Sequence, residues 1–213
     1  MYILGLNAYH GDSSACIFFN GKIIAAIEEE RLRRVKHWAG FPSQSIKFCL
    51  DECNISITDI DHITLSRDPK ANFFKKIKYA LKSRFSIKAS IDRLKNYDKL
   101  DSVKSILSRQ FNVDVKKIKA KVHNLEHHRT HLASAFFASD FEEAAVLSID
   151  GFGDFSSTMI GIGSGNKIKV LDQVNYPHSL GIFYTAFTQF LGFPYYGDEY
   201  KVMGLAQKKN KNY

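Results

Sequence analysis

Short apolar segments alternate with polar turns at the start of the chain and predict three strands. The segments cover residues 1–6, 15–19 and 22–27. Between the last two, Asn20-Gly21 is a strong hairpin signal, because both residue types tolerate the positive φ of a tight turn. The pattern therefore predicts an antiparallel meander at one end of a sheet.

Helical periodicity and further apolar segments follow. In chain order, the predicted elements are a helix over 43–53, a strand over 61–66, two or three basic amphipathic helices over 70–111, a strand over 119–124 and a helix over 127–137. Ser43 is the expected N-cap of the first helix, since its hydroxyl can accept a backbone hydrogen bond.

The opening pattern recurs in the second half of the chain. Gly5–Ile24 and Leu147–Val170 both read as strand, Gly-Asp turn with paired serines, strand, glycine hairpin and strand. This repeat predicts two lobes whose turns face each other across a cleft and grip a polyphosphate. A helix over Ser179–Leu191 follows, and we expect its three phenylalanines to pack in the core.

Composition places the protein among ordinary globular chains. It has 213 residues, 45% of them hydrophobic and 24% charged, which is enough length for a real core. There is no apolar run of eighteen residues, and the first residues lack the features of a secretory signal. Three scattered cysteines do not make a disulfide framework, so we expect a cytoplasmic protein without a membrane span.

The net charge of +8 comes largely from lysines and arginines between residues 70 and 121. A basic patch is able to bind nucleic acid or to attract anions. Here the lysines lie around predicted helices, without a nucleic-acid motif or an aromatic stacking platform. We therefore expect solvated helical faces and no nucleic-acid partner.

Candidate metal ligands lie near the middle of the chain. His127 and His131 are four residues apart, on one face of a predicted helix. Asp150 follows the predicted strand over 144–149, and glycines follow it. We expect this strand to be parallel, so that the carboxylate at its carboxyl end projects into a ligand-binding crevice. The pattern favours a three-ligand metal site beside a phosphate-binding loop. The alternative is a helix with surface histidines, then a core strand and a tight turn.

The chain resembles the amino-terminal half of the NodU/CmcH-type carbamoyltransferases. The resemblance rests on six blocks in the family's order: GLNAYHGDSSACI, EEERLRRVKHWAGFP, EHHRTHLASAF, SIDGFGD, SLGIFYTAFTQFLGF and GDEYKVMGLA. It implies an α/β fold of the actin-like, ribonuclease-H-like type. The first lobe would cover 1–140 with a helical insertion at about 67–118, the second lobe would begin over 141–206, and a basic polar tail would cover 207–213.

The resemblance also implies an activity. Family members transfer a carbamoyl group from carbamoyl phosphate, through a carbamoyl-adenylate made with ATP, to a hydroxyl of a sugar, an antibiotic or a polysaccharide precursor. The implied metal is iron or a similar divalent ion. Glu199 and Lys201 match a signature block whose individual roles stay unassigned. The other matching positions are, for the metal, His127, His131 and Asp150; for catalysis, His10, Asp12 and Lys36; and for the cofactor, Ser13, Gly151, Gly153 and Asp154.

The chain departs from the family pattern after the residues GLA. Family members continue there with Pro-Tyr-Gly, finish the second lobe and add a YrdC-like domain. We therefore expect a truncated or split gene product that needs a separate carboxyl-terminal chain. One alternative function is a sugar-kinase-like enzyme, although such kinases use carboxylates and Mg²⁺ rather than a histidine pair. Another is a non-catalytic remnant.

Overall fold

A computed structural model of the protein describes residues 1–82 and 102–207. Contacts divide the chain into two compact units, Met1–Leu125 and Glu126–Tyr213. The predicted helices between residues 83 and 101, and the basic tail from 208 onward, lie outside the described residues. The lobe boundary at 140 and the extent of the insertion stay predictions.

The first unit is built on a five-stranded sheet in the order β3-β2-β1-β4-β5. Its strands are β1 (Tyr2–Asn7), β2 (Ser14–Phe19), β3 (Lys22–Glu28), β4 (His62–Leu65) and β5 (Lys121–Asn124). The first three form the predicted antiparallel meander, whereas β4 is parallel to β1 and β5 is parallel to β4. The hairpin prediction is confirmed too, since Asn20 and Gly21 have φ of 49° and 82°.

Four α-helices accompany this sheet in the described residues: α1 (Glu29–Arg33), α2 (Ser43–Cys53), α3 (Phe73–Lys82) and α4 (Val103–Phe111). Apolar residues at helical spacing on α2 pack against β2 and β3. The core that results is fully buried and aliphatic. Its largest members are Leu4, Ile17, Ile46, Ile57, Ile60, Ile63, Leu107 and Ile118.

The N-terminus of α2 is capped by a distant residue, so the predicted cap at Ser43 is wrong. Ser43 is the first helical residue and its side chain makes no cap. The buried carboxylate of Glu29 instead accepts hydrogen bonds from the backbone N–H groups of Gln44, at 3.1 Å, and Ser45, at 2.7 Å. Arg33 also contacts it, at 2.6 Å. Glu29 therefore joins α1 to α2.

Replacing Glu29 with glutamine should destabilise the first unit by about 3 kcal/mol, because it removes a buried charged acceptor and leaves Arg33 without its carboxylate. Burial raises the pKa of Glu29, but the hydrogen bonds from Ser45 and Gln44 outweigh it and lower the pKa. Its contribution to stability is therefore present above about pH 4.3 and is lost as the pH falls through the lower folded-state pKa.

Urea unfolding at neutral pH measures this loss. Glu28→Gln is the matched control, since Glu28 is exposed and its nearest cation, Arg31, is 3.7 Å away. A loss in Glu29→Gln no larger than in the control would contradict the capping role.

The second unit is built on an antiparallel sheet of three strands, and its helices lie before and after them. The strands are β6 (Glu143–Gly153), β7 (Ser156–Ser164) and β8 (Lys167–Asn175); the helices are α5 (His127–Phe136), α6 (Leu180–Phe190) and α7 (Glu199–Ala206). β6, β7 and β8 form a meander like that of β1, β2 and β3. The predicted repeat of the opening strands and the α/β class of the fold are confirmed, and the actin-like type stays a prediction.

One face of the second sheet packs against α5. Phe136 lies directly over Gly163, where a Cβ atom would come within 2.5 Å of its ring. Leu132, Val146 and Met159 complete this small core. The opposite face remains exposed, as the alternation along β6 shows: Leu147 is 58% exposed.

The aromatic face of α6 is exposed, so the predicted core packing of its phenylalanines is wrong. Phe183, Phe187 and Phe190 are 59%, 51% and 83% exposed. Helical amphipathicity identified the face correctly, but it does not show what covers that face. Among the described residues, no helix is both long enough and apolar enough to cross a bilayer.

Candidate metal centre

Two carboxylates fix the start of α5 and so position the histidines on it. The Glu126 carboxylate accepts a hydrogen bond from the Arg129 N–H group at 2.8 Å. The Asp154 carboxylate accepts one from the His127 N–H group at 3.0 Å. Negative groups at a helix N-terminus satisfy free N–H groups and complement the helix dipole. The Gly-Asp turn that ends β6 is thereby tied to the helix that carries His127 and His131.

Asp150 lies in a bulge of β6, not at the end of a parallel strand as predicted. β6 pairs antiparallel with β7, and the register shifts between Ile149 and Gly153. Only Ser157 of β7 lies opposite the three β6 residues from 150 to 152. These three residues therefore do not pair in the regular ladder and form a bulge. Because Asp150 is released from the pleat, its side chain reaches the histidines of α5.

The start of α6 supports this bulge. The Ser179 hydroxyl lies 3.0 Å from the Asp150 carbonyl oxygen and 2.8 Å from that of Gly151, so both accept from it. A Cβ atom at Gly181 would overlap the Asp150 carbonyl group. The Gly151 N–H group donates to Asp150 Oδ1 at 2.6 Å, which orients the carboxylate.

Three side chains converge on one point. His127 Nε2 lies 2.9 Å from Asp150 Oδ2 and 2.9 Å from His131 Nε2. His131 Nε2 lies 3.4 Å from the same carboxylate oxygen. The structure therefore brings together all three residues that the sequence suggested as metal ligands, with one donor atom of each facing the others.

These distances fit a divalent cation. An ion about 2.0–2.2 Å from each donor, with the donors about 90° apart, separates them by about 3 Å. Two imidazoles and one carboxylate are the ligand set of the facial site that binds iron(II) with other positions open. The pKa of Asp150 lies well below its usual range, chiefly because His127 and then His131 hydrogen-bond to it, while burial opposes the shift. At neutral pH the carboxylate is therefore ionised, as a ligand must be.

Gly153 is required by the position of His127. A Cβ atom at Gly153 would overlap the imidazole ring of His127, so the ring rests directly on the glycine backbone. The side chain of His127 is only 9% exposed, and this contact holds one wall of its site. Gly151 has no such constraint, since a Cβ there would lie 3.7 Å from Ile182. The predicted cofactor role of both glycines, like that of Asp154, stays a prediction.

His128 lies beside the pair and faces the sheet instead. It is fully buried, and its Nδ1 atom lies 2.8 Å from the Ser148 hydroxyl oxygen. Burial lowers the pKa of His128, which favours a neutral ring. Its position agrees with the sequence interpretation that it is not one of the ligands.

A second polar cluster lies in the first unit, at the predicted turn. Asp12 Oδ1 is 2.8 Å from His37 Nδ1, and the His37 N–H group donates to Glu30 Oε2 at 3.1 Å. Lys36 Nζ contacts Glu30 Oε1 at 2.8 Å, and this hydrogen bond raises the pKa of Lys36. His37 and Glu30 are functional candidates that the sequence interpretation missed. Both lie in the block EEERLRRVKHWAGFP, but no local spacing links them to Asp12.

The remaining predicted residues of this turn differ in exposure. His10 is exposed, and its carbonyl oxygen lies 3.1 Å from the Ser13 hydroxyl. Ser13 is fully buried, and its hydroxyl donates to the Gly40 carbonyl oxygen at 2.7 Å. Ser13 thus ties the turn to the segment after His37. Its cofactor role, and the catalytic roles of His10, Asp12 and Lys36, stay predictions.

The signature block near residue 200 forms a local network. The Thr185 hydroxyl donates to Glu199 Oε1 at 2.6 Å and so links α6 to α7. Lys201 pairs with the buried carboxylate of Asp198. Both contacts support a structural role for these residues in the second unit.

Comparison with known proteins identifies the family to which the chain belongs. The family model described as the carbamoyltransferase N-terminus matches residues 2–212. An uncharacterized protein of Synechocystis is 39% identical over 96% of this chain and 34% of its own length. The nodulation protein NolNO of Sinorhizobium fredii is 34% identical over 94% of this chain and 28% of its own. The chain therefore spans about a third of these relatives.

Among solved structures, YeaZ from Pseudomonas aeruginosa aligns with a TM-score of 0.41 at 15% identity. The alignment covers 80% of this chain and 64% of YeaZ.

Proposed function

Since this chain belongs to the family defined by the carbamoyltransferase N-terminus, we propose that it is the metal-binding, amino-terminal part of an O-carbamoyltransferase. The observation that carries the proposal is the convergence of His127, His131 and Asp150 within a chain of this family. The carbamoyl group would come from carbamoyl phosphate, pass through a carbamoyl-adenylate made with ATP, and reach the hydroxyl of a small-molecule or sugar acceptor. We place the reaction in the cytoplasm, where ATP is available.

The chain's own residues have separate tasks in this proposal. His127, His131 and Asp150 would hold the divalent cation, iron being the metal that the ligand set favours. When bound, such a cation supplies Lewis-acid stabilisation of charge on phosphate and carbonyl oxygens. Gly153 keeps the His127 ring in place, and the Gly151 N–H group holds the carboxylate of Asp150.

The turn of the first unit would serve the transfer step. We assign to His10, which is exposed, the acceptance of the proton from the acceptor hydroxyl. The hydroxyl oxygen then bonds to the carbamoyl carbon, the bond from that carbon to the adenylate oxygen breaks, and AMP leaves. Lys36 offers a positive charge to the anionic donor, and His37 orients the Asp12 carboxylate.

We further propose that the remaining two-thirds of a family-length polypeptide is needed for turnover. The second unit supports this, because the outer face of its sheet exposes apolar residues along two adjacent strands. These residues are Leu147, Ile149, Ile160 and Ile162. A monomeric globular protein rarely leaves such a continuous apolar face uncovered.

A chimera tests the function. This chain replaces the matched region of the Synechocystis relative, and AMP and pyrophosphate release from ATP are measured with and without carbamoyl phosphate. We expect release that depends on carbamoyl phosphate. In a chimera that also carries His127→Ala and His131→Ala, this release should fall by about a hundredfold or more. The reason is that changes to residues that only contact the metal ligands already cost metal sites about 10- to 100-fold.

ADP formation without carbamoyl phosphate would contradict the proposal and indicate a kinase. Loss of an activity that the unmodified relative shows in the same assay would also contradict it. Robust turnover by the 213-residue chain alone would overturn the need for the remaining polypeptide.

A further inference from the structure

Helix α3 presents an apolar face to solvent. Phe73, Phe74, Ile77 and Leu81 recur at helical spacing and so line one side of the helix. No residue of α3 is buried; Phe74 is 84% exposed and Leu81 is 67% exposed. This differs from α2, whose apolar residues at the same spacing lie in the core.

The exposed surface of α3 beside its apolar face is strongly basic. Residues 70–82 contain five lysines and no aspartate or glutamate. Lys75, Lys78 and Lys82 are exposed. At about 100° per residue, Lys75 and Lys82 lie roughly 80–100° around the helix from Phe74, and Lys78 lies between them and Phe74. Their long alkyl stems allow the ammonium groups to reach past an apolar layer to a charged surface.

We propose that α3 docks on an anionic lipid surface, lying in the plane of the interface rather than crossing it. An amphipathic helix with lysines beside an apolar face of phenylalanine and leucine is suited to this position. The apolar residues would enter the boundary between headgroups and acyl chains, and the lysines would meet the negative headgroups. A protein groove would accept the apolar face as well, but it gives no reason for a helix with this many lysines and no acidic residue.

Charge complementarity gives the size of the effect. Each lysine near an anionic membrane surface raises the partition coefficient about fivefold. Two lysines changed to glutamate should therefore lower binding about 25-fold or more. Removing two apolar side chains that would leave water on binding should lower it about tenfold or more. The proposal concerns where the protein resides and stands apart from the proposed transferase activity.

Vesicle cosedimentation of the 213-residue chain tests this docking. The vesicles contain phosphatidylcholine alone, or phosphatidylcholine mixed with phosphatidylglycerol. We expect binding to the mixed vesicles that weakens in high salt, and little binding to phosphatidylcholine. The variants are Lys75→Glu with Lys78→Glu, and Phe74→Ser with Leu81→Ser. Since all four side chains are exposed, folding should be preserved, and circular dichroism checks this.

Matched controls show whether vesicle binding depends on α3 itself or only on the net charge and exposed apolar residues of the whole chain. Lys116→Glu with Lys117→Glu changes the net charge equally at another exposed site, and Phe141→Ser removes an exposed phenylalanine that is not on α3. Both controls should bind like the wild type. Equal weakening by the control lysine pair would overturn the proposal, as would equal binding to both vesicle types or none to either.

Two further outcomes would also overturn the proposal. If the Phe74→Ser, Leu81→Ser variant binds mixed vesicles as well as the wild type does, α3 does not insert and the contact is a general attraction to polyanions. If wild-type chains self-associate without vesicles and this variant does not, the apolar face is an interface between copies of the chain.

Discussion

His131→Ala should abolish tight divalent metal binding, with a loss of affinity of more than about a hundredfold. His131 Nε2 lies 2.9 Å from His127 Nε2 and 3.4 Å from Asp150 Oδ2, so its removal leaves two ligands where three converge. Outer-shell substitutions alone cost metal sites about 10- to 100-fold in affinity, and removal of a ligand should cost more. Isothermal titration with iron(II) or zinc, together with the metal content of the purified protein, measures the effect.

His131 is chosen because its removal should lower metal affinity without disturbing the folding of the second unit. Its side chain is 47% exposed, whereas that of His127 is 9% exposed and packs on Gly153, so His131→Ala should fold normally. His123→Ala is the matched control, because it removes an exposed histidine of the first unit that is not in the cluster. Full metal content in His131→Ala, or equal loss in His123→Ala, would show that the cluster is not the site.

Gly153→Ala should damage both the stability of the second unit and its metal site. The added methyl group would occupy the position of the His127 ring, which must move or force the β6 bulge apart. Overpacking of this kind costs about 1–3 kcal/mol. A displaced ligand should also lower metal affinity by at least about tenfold. Thermal unfolding and metal titration measure the two effects separately.

Gly204→Ala is the matched control for this substitution. Nothing lies within 4 Å of a Cβ atom at Gly204, which is in α7, and alanine is the better helix former. The control should leave stability unchanged or slightly higher. A Gly153→Ala protein with normal stability and full metal affinity would show that the contact between the glycine and the imidazole does not hold the site.

Local sequence patterns were enough to predict most elements of the fold. The meander β1–β3 and its recurrence as β6–β8 follow from alternation and turn residues, which act over a few positions. The pairing of His127 with His131 follows from helical spacing in the same way. Asp150 was found through its place after an apolar strand.

The features that sequence reasoning missed depend on contacts between distant segments. Glu29 caps α2 from fifteen or sixteen residues away, and a local N-cap rule pointed to Ser43 instead. His37 reaches Asp12 across twenty-five positions. No spacing rule relates such pairs, because the intervening chain folds back before they meet.

The predictions for the strand before Asp150 and for the aromatic face of α6 were wrong for another reason. An apolar run predicts a buried strand, but it does not show whether that strand pairs parallel or antiparallel. Phe190 likewise belongs to an apolar helix face that the described residues leave 83% exposed. Periodicity identifies a face and gives no information on its partner.

The most direct test of the metal centre is anomalous diffraction at the iron or zinc edge from crystals of the metal-loaded protein. We predict one strong peak, about 2.0–2.2 Å from His127 Nε2, His131 Nε2 and a carboxylate oxygen of Asp150. No peak at these three atoms, or a peak instead at Asp12, Glu30 and His37, would contradict the assignment.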